Sequence, residues 1–117
     1  MIDENLSPRE LAILTAIVAD EKKAGDVVIL DVGKRLSITG YFVILSGINR
    51  VHVRSLCDYI EEKLKEKGRR PHRVESSIGW ILMDYFDIVI HIFSRELRDF
   101  YCLERLWKDS EKLDWRA

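Results

Sequence analysis

Cysteine is scarce in this chain. Cys57 and Cys102 are the only two, they lie far apart, and neither belongs to a CxxC or has a histidine at ligand spacing. That pattern argues against a metal centre and reads as two reduced, partly buried thiols of a cytosolic protein. Long apolar runs are missing too, and none approaches the ~18 residues of a membrane span. The N-terminus, Met-Ile-Asp-Glu-Asn, lacks the basic and apolar regions of a signal peptide and the Arg/Ser-rich, acid-poor character of a transit peptide. The expected location is the cytoplasm. A basic excess is absent: 19 Lys and Arg face 20 Asp and Glu, for a net charge of −1. A chain that holds nucleic acid by neutralising phosphates usually carries such an excess. No repeat, low-complexity tract or interdomain linker interrupts the chain.

What is present suits one domain. The 117 residues are 47% hydrophobic and 33% charged, an ordinary globular balance. Residues 1–117 read as a single domain with its core in 8–108 and a largely charged tail at 109–117, whose large apolar residues are Leu113 and Trp115.

Ser7-Pro8-Arg9-Glu10 has the order of a capped helix start, with an apolar stripe of Leu11, Leu14 and Val18, and Gly25 as a stop. Residues 27–32 read as a buried strand, 33–40 as a loop and 41–45 as a second strand. Asn49 caps the next helix. Its face of Val53, Leu56, Cys57, Ile60 and Leu64 is apolar, and Gly68 and Pro71 end it. Residues 72–75 form a third strand. Residues 80–83 and 88–93 flank an acidic-aromatic turn and read as a hairpin. Ser94 caps the last helix. A helix of this length between the second and third strands suits a crossover, so the fold class is α/β: a mixed sheet of about five strands with flanking helices.

Several residues invite chemistry. Asp84 and Asp87 are paired carboxylates, but without a third ligand they suit a turn better than a metal. Ser46-Gly47 lacks the glycines and lysine of a phosphate loop and reads as a tight strand-to-helix connection. None of His52, His72 and His91 stands in a triad motif. His91 alternates with Ile90 and Ile92 and is expected on the opposite sheet face. Arg69, Arg70 and Arg73 form a short basic cluster that could meet RNA phosphates, or simply a solvated loop. Trp80, Tyr85, Tyr101 and Trp107, mixed with Asp and Arg, have the composition of interface anchors, and at least one is expected to be exposed.

The order and spacing of these pieces resemble the ribosomal silencing factor family, also called RsfS or Iojap, over roughly residues 9–107. The matching pieces are Leu30-Asp31-Val32, Ser37-Ile38-Thr39, Phe42-Val43-Ile44, Ser46-Gly47, Arg50-x-His52-Val53 and residues 64–68. Further on come residues 80–85, 87–93, Arg98-x-Phe-Tyr101 and Leu103-Glu104-x-Leu-Trp107. The resemblance implies a nucleotidyltransferase-like α/β fold without catalytic motifs, no cofactor and no metal, and homodimers. It implies binding to the large ribosomal subunit through a ribosomal protein on its subunit-joining face. Small-subunit joining is then blocked and translation repressed when nutrients are limiting. It also implies a partner-binding surface of Trp80, Asp84, Tyr85, Arg98, Tyr101 and Glu104. The alternatives are a nucleotidyltransferase-like enzyme using Asp84 and Asp87 with a metal, or an RNA-binding module.

The chain departs from the family pattern at Gly40, at Ser76 and at Phe86, which stands where the family turn has glycine. If that position needs a positive φ, Phe86 is strained. A different turn geometry is expected.

Overall fold

Ser7 and Glu10 begin the first helix reciprocally. In a computed structural model the Glu10 amide donates to the Ser7 hydroxyl at 3.1 Å, and the Ser7 amide donates to the Glu10 carboxylate at 3.2 Å. Two amides that the helix leaves unpaired are thereby satisfied. The structure describes residues 6–33, 40–101 and 111–116, with Phe100 and Tyr101 described by their backbone alone.

The elements are α1 (Pro8–Glu21), β1 (Gly25–Asp31), β2 (Tyr41–Gly47), α2 (Arg50–Glu66), β3 (Arg73–Ser77), β4 (Trp80–Asp84), β5 (Ile88–Ser94), α3 (Arg95–Tyr101) and β6 (Glu111–Leu113). They build one six-stranded sheet in the order β3-β4-β5-β2-β1-β6. β2 and β5 run parallel, and every other neighbouring pair is antiparallel. The mixed sheet is as expected. The parallel neighbour of β2 is β5 rather than β3, so the crossover includes α2 and the β3–β4 hairpin.

Strand alternation gives the sheet two faces. One carries Val43, Leu45, Ile81, Met83, Ile88, Ile90 and Ile92, which pack with Leu11, Ala12 and Ala16 of α1 and Val53, Leu56, Ile60 and Leu64 of α2. Fully burying such a side chain is worth about 1.5–3 kcal/mol, so this face is the main source of stability. Cys57 belongs to it, and burial pushes its thiol up to about 11, leaving it protonated and inert. The opposite face has a smaller cluster of Leu30, Val32, Ile44 and Phe93, against which Leu97 of α3 packs. Among the described residues no helix is long and apolar enough to cross a membrane.

Two expectations change. Residues 109–117 read as a tail, but Glu111–Leu113 pairs with β1 as the outermost strand. Leu113 and Trp115 pack against the core, and the Trp115 indole donates to the Val27 carbonyl at 3.1 Å. These contacts offset the cost of ordering a charged segment. β1 also starts earlier than residue 27. Its register shifts between Gly25 and Val28, with Asp26 at φ 45°, the mark of a bulge. Residues 34–39 of the loop expected at 33–40, including Ser37-Ile38-Thr39, lie outside the described residues, as do Cys102, Glu104 and Trp107.

Candidate interaction surface

The face of β4 and β5 turned away from α1 and α2 is aromatic because every second residue lands there. Trp80, Leu82 and Asp84 stand in register with Phe93, His91 and Val89. β2 adds Phe42 beside Val89 and Ile44 beside His91. The Trp80 ring stacks on Phe93 with centroids 5.5 Å apart and 15° between planes. The Phe42 ring meets His91 edge-on at 4.9 Å. Trp80 keeps 37% of its surface exposed, and Phe42, Leu82 and Val89 are half-buried. This is a platform of packed rings and aliphatic side chains whose largest ring, Trp80, is open to solvent.

His91 is buried within it, and burial lowers its pKa to about 4, so the ring is neutral near pH 7. A neutral imidazole puts no charge under Trp80. The expectation that His91 faces away from Ile90 and Ile92 holds.

Beyond Asp84 the chain turns sharply. The Phe86 amide donates to the Asp84 carboxylate at 2.8 Å, and Phe86 takes φ 70°. The turn therefore keeps the left-handed position, correcting the expectation of another geometry, and Phe86 carries the strain. The Phe86 ring is 65% exposed and lies 4.3 Å from the His72 ring. One nitrogen of the Arg69 guanidinium donates to both Asp87 carboxylate oxygens, at 2.8 and 2.7 Å. The Arg73 guanidinium approaches Glu75 at 3.4 Å and Asp84 at 4.0 Å.

These partners bear on the alternatives. Both Asp84 and Asp87 are engaged by neighbours within the chain, and among the described residues no group of three His, Cys, Asp or Glu converges. Two of the three arginines offered for RNA are occupied by carboxylates. Ser46-Gly47 makes a tight connection: a Cβ on Gly47 would fall 2.8 Å from the Val53 nitrogen. His52 is committed to the fold. Its Nδ1 accepts from the Ile48 amide at 2.9 Å, so Nε2 carries the proton and donates to the Lys22 carbonyl at 2.8 Å.

Of the six residues expected at the partner surface, Trp80 and Asp84 lie on this face. Tyr85 does not. It is 3% exposed and packs in the main core, because the turn folds it under the sheet. Its hydroxyl has no hydrogen-bond partner among the described residues, and burial pushes its pKa up. Arg98 is also interior, 3% exposed, donating to the Asp26 carbonyl and the Ser46 hydroxyl at 2.8 Å each. A cation is tolerated there because the β1 bulge and Ser46 supply acceptors. The Tyr101 side chain and Glu104 lie outside the described residues. Sequence reasoning missed Phe42, His91 and Phe93 as parts of the platform, although the alternations Phe42/Ile44 and His91/Phe93 carry that signal.

Comparison with known proteins adds independent findings. A Halalkalibacterium halodurans ribosomal silencing factor is 31% identical over 111 residues, covering 93% of this chain and 95% of its own. A mouse protein named for mitochondrial assembly of the ribosomal large subunit is 29% identical over 103 residues, covering 84% of this chain and 45% of its own. A crystal structure of a Chromobacterium violaceum protein superposes with a TM-score of 0.81 at 28% identity, covering 90% of this chain and 89% of its own. Residues 5–117 match the family model described as "Ribosomal silencing factor during starvation". With nearly the whole chain matched and the fold shared, this protein belongs to the ribosomal silencing factor (RsfS) family.

Proposed function

We propose that this protein docks on the large ribosomal subunit, through a ribosomal protein on the subunit-joining face, and excludes the small subunit by occupying its place. The observation that carries this reading is the open aromatic platform around Trp80 in a chain of this family. The mouse relative's name, which refers to the ribosomal large subunit, supports the choice of subunit. Trp80 is the anchor, seated on Phe93 and His91, and Asp84 supplies a carboxylate at the far end of the same strand face. Tyr85 and Arg98 act beneath the surface, holding the turn and the start of α3. Tyr101 and Glu104 complete the proposed contact from the end of α3 onward.

The action is steric and needs no turnover. It represses translation in the cytoplasm when nutrients are limiting, and the protein forms a homodimer. Purified protein mixed with separated subunits tests the reading. Co-sedimentation with large subunits, together with fewer joined ribosomes, is expected. Equal binding to both subunits, or undiminished joining at saturating protein, removes it. Metal-dependent nucleotide transfer lost in an Asp84→Ala, Asp87→Ala variant would revive the enzyme alternative.

A further inference from the structure

The outer edge of the sheet carries a second surface, on the face opposite Trp80. β3 ends the sheet, all five of its residues are exposed, and among the described residues no strand pairs with its outer side. An edge of this kind presents a row of amides and carbonyls ready to pair with another chain. Beside it, between β3 and the first turns of α2, runs a groove of about 420 Å³. Buried Val53 and Ile81 line it, together with Ile78, which is 72% exposed. Ile78 is pushed outward by the Ile78-Gly79 turn, where Gly79 takes φ 74°. Arg50 and Arg54 line the helix side and are exposed. No acidic residue occupies the first turn of α2, so the positive end of the helix is not offset there. Arg54 does face Asp58 at 3.5 Å, but both side chains are more than 60% exposed. Such a surface pair is weak enough for another carboxylate to displace.

We propose that β3 and this groove accept an extended segment of a partner protein as an added strand. An apolar side chain of the segment enters the groove, and a carboxylate two residues along faces Arg50 and Arg54. Residues two apart share a face of a strand, so one short apolar-x-acidic segment meets both demands while its backbone pairs with β3. The charges favour a different protein over a second copy of this one. On the groove side β3 itself offers only Val74 and Ser76, so pairing with its own copy leaves both arginines without a carboxylate from that strand. The site is separate from the Trp80 platform and does not depend on the ribosomal reading.

The test uses the full chain and a blocked peptide, Ac-Thr-Val-Thr-Glu-Thr-NH2, followed by amide NMR shifts. The comparison peptides carry Lys in place of Glu, or N-methyl groups on alternate amides. Saturable shifts on β3, Ile81 and the first turns of α2 are expected. The Glu peptide should bind about fivefold more tightly than the Lys peptide, the size of one partly exposed ion pair. N-methylation should abolish binding. The exposed Arg50→Glu, Arg54→Glu variant should reverse the order of the two charged peptides. The proposal is overturned by an absence of shifts at millimolar peptide, or by equal binding of both charges. It is also overturned if the shifts fall on the Trp80 face, or if β3 shifts grow with protein concentration alone, which marks pairing between copies.

Discussion

The Trp80 indole lies nearly parallel to the His91 imidazole, with 14° between ring planes and 6.2 Å between centroids. The two rings relate to water in opposite ways. Trp80 is partly open to solvent, and His91 is buried as part of the support for Trp80.

Trp80→Ala should therefore weaken large-subunit binding more than it weakens the fold. An anchor of this type contributes ~2 kcal/mol or more, equivalent to roughly thirtyfold in affinity. Leu56→Ala, in the main core, is the contrasting variant and should cost ~2–5 kcal/mol of stability. Binding and thermal unfolding measured on both decide the matter. If Trp80→Ala unfolds like Leu56→Ala, the ring is structural. If it stays folded and binds like wild type, the docking face lies elsewhere.

Phe86→Gly should stabilise the protein. A side chain at φ 70° costs about 1–2 kcal/mol that glycine avoids. Part of the gain is lost to the greater freedom of glycine in the unfolded chain and to the vanished contact with His72. A net gain of ~0.5–1 kcal/mol in urea unfolding is expected. A net loss would mean that the ring contact outweighs the strain.

Tyr85→Phe and Arg98→Met probe two interior polar groups with opposite expectations. Tyr85→Phe removes a buried hydroxyl that has no partner among the described residues, so stability should hold or rise by up to ~1 kcal/mol. Arg98→Met strips two acceptors of their donor and should cost ~2–4 kcal/mol. Urea midpoints give both answers. A clear loss in Tyr85→Phe would reveal a bond to that hydroxyl.

His91 should make stability depend on pH. Burial lowers its pKa from 6.5 to about 4, so between those values the unfolded chain binds a proton that the folded ring refuses. Stability then falls as pH drops from 6.5 toward 4 and stops falling on this account below that. The full effect approaches ~3 kcal/mol. The measurement is the difference between wild type and His91→Gln, in which contributions common to both chains cancel. Identical slopes for the two would remove His91 as the cause.

How much was legible in the sequence depended on whether local chemistry or distant partners decided each residue. Ser7, Glu10 and Asn49 announce their helix starts because a cap needs only residues three positions away. The β4–β5 hairpin is legible from its alternation. β6 was missed because Glu-Lys-Leu carries no strand signal of its own, and it forms because β1 offers an edge far away in sequence. Arg98 reads as solvent-facing in any helical pattern, and its burial depends on Asp26 and Ser46, 72 and 52 residues away. Tyr85 follows Asp84 in a turn, and the turn geometry, with its positive φ at Phe86, decides that it points inward.

The platform draws its rings from strands that do not come together at the same cost. Trp80, His91 and Phe93 belong to a hairpin closed by a three-residue turn, the kind of local contact a chain makes early. Phe42 reaches His91 only when β2 pairs with β5, and forty residues, 48–87, must first be looped out. A chain with only its local pairings formed has Trp80 over Phe93 and His91 but lacks Phe42 against the His91 ring. Binding through the proposed Trp80 face therefore draws on a long-range parallel pairing as well as a local hairpin, and a chain that lacks the β2–β5 pairing is expected to bind the same partner more weakly.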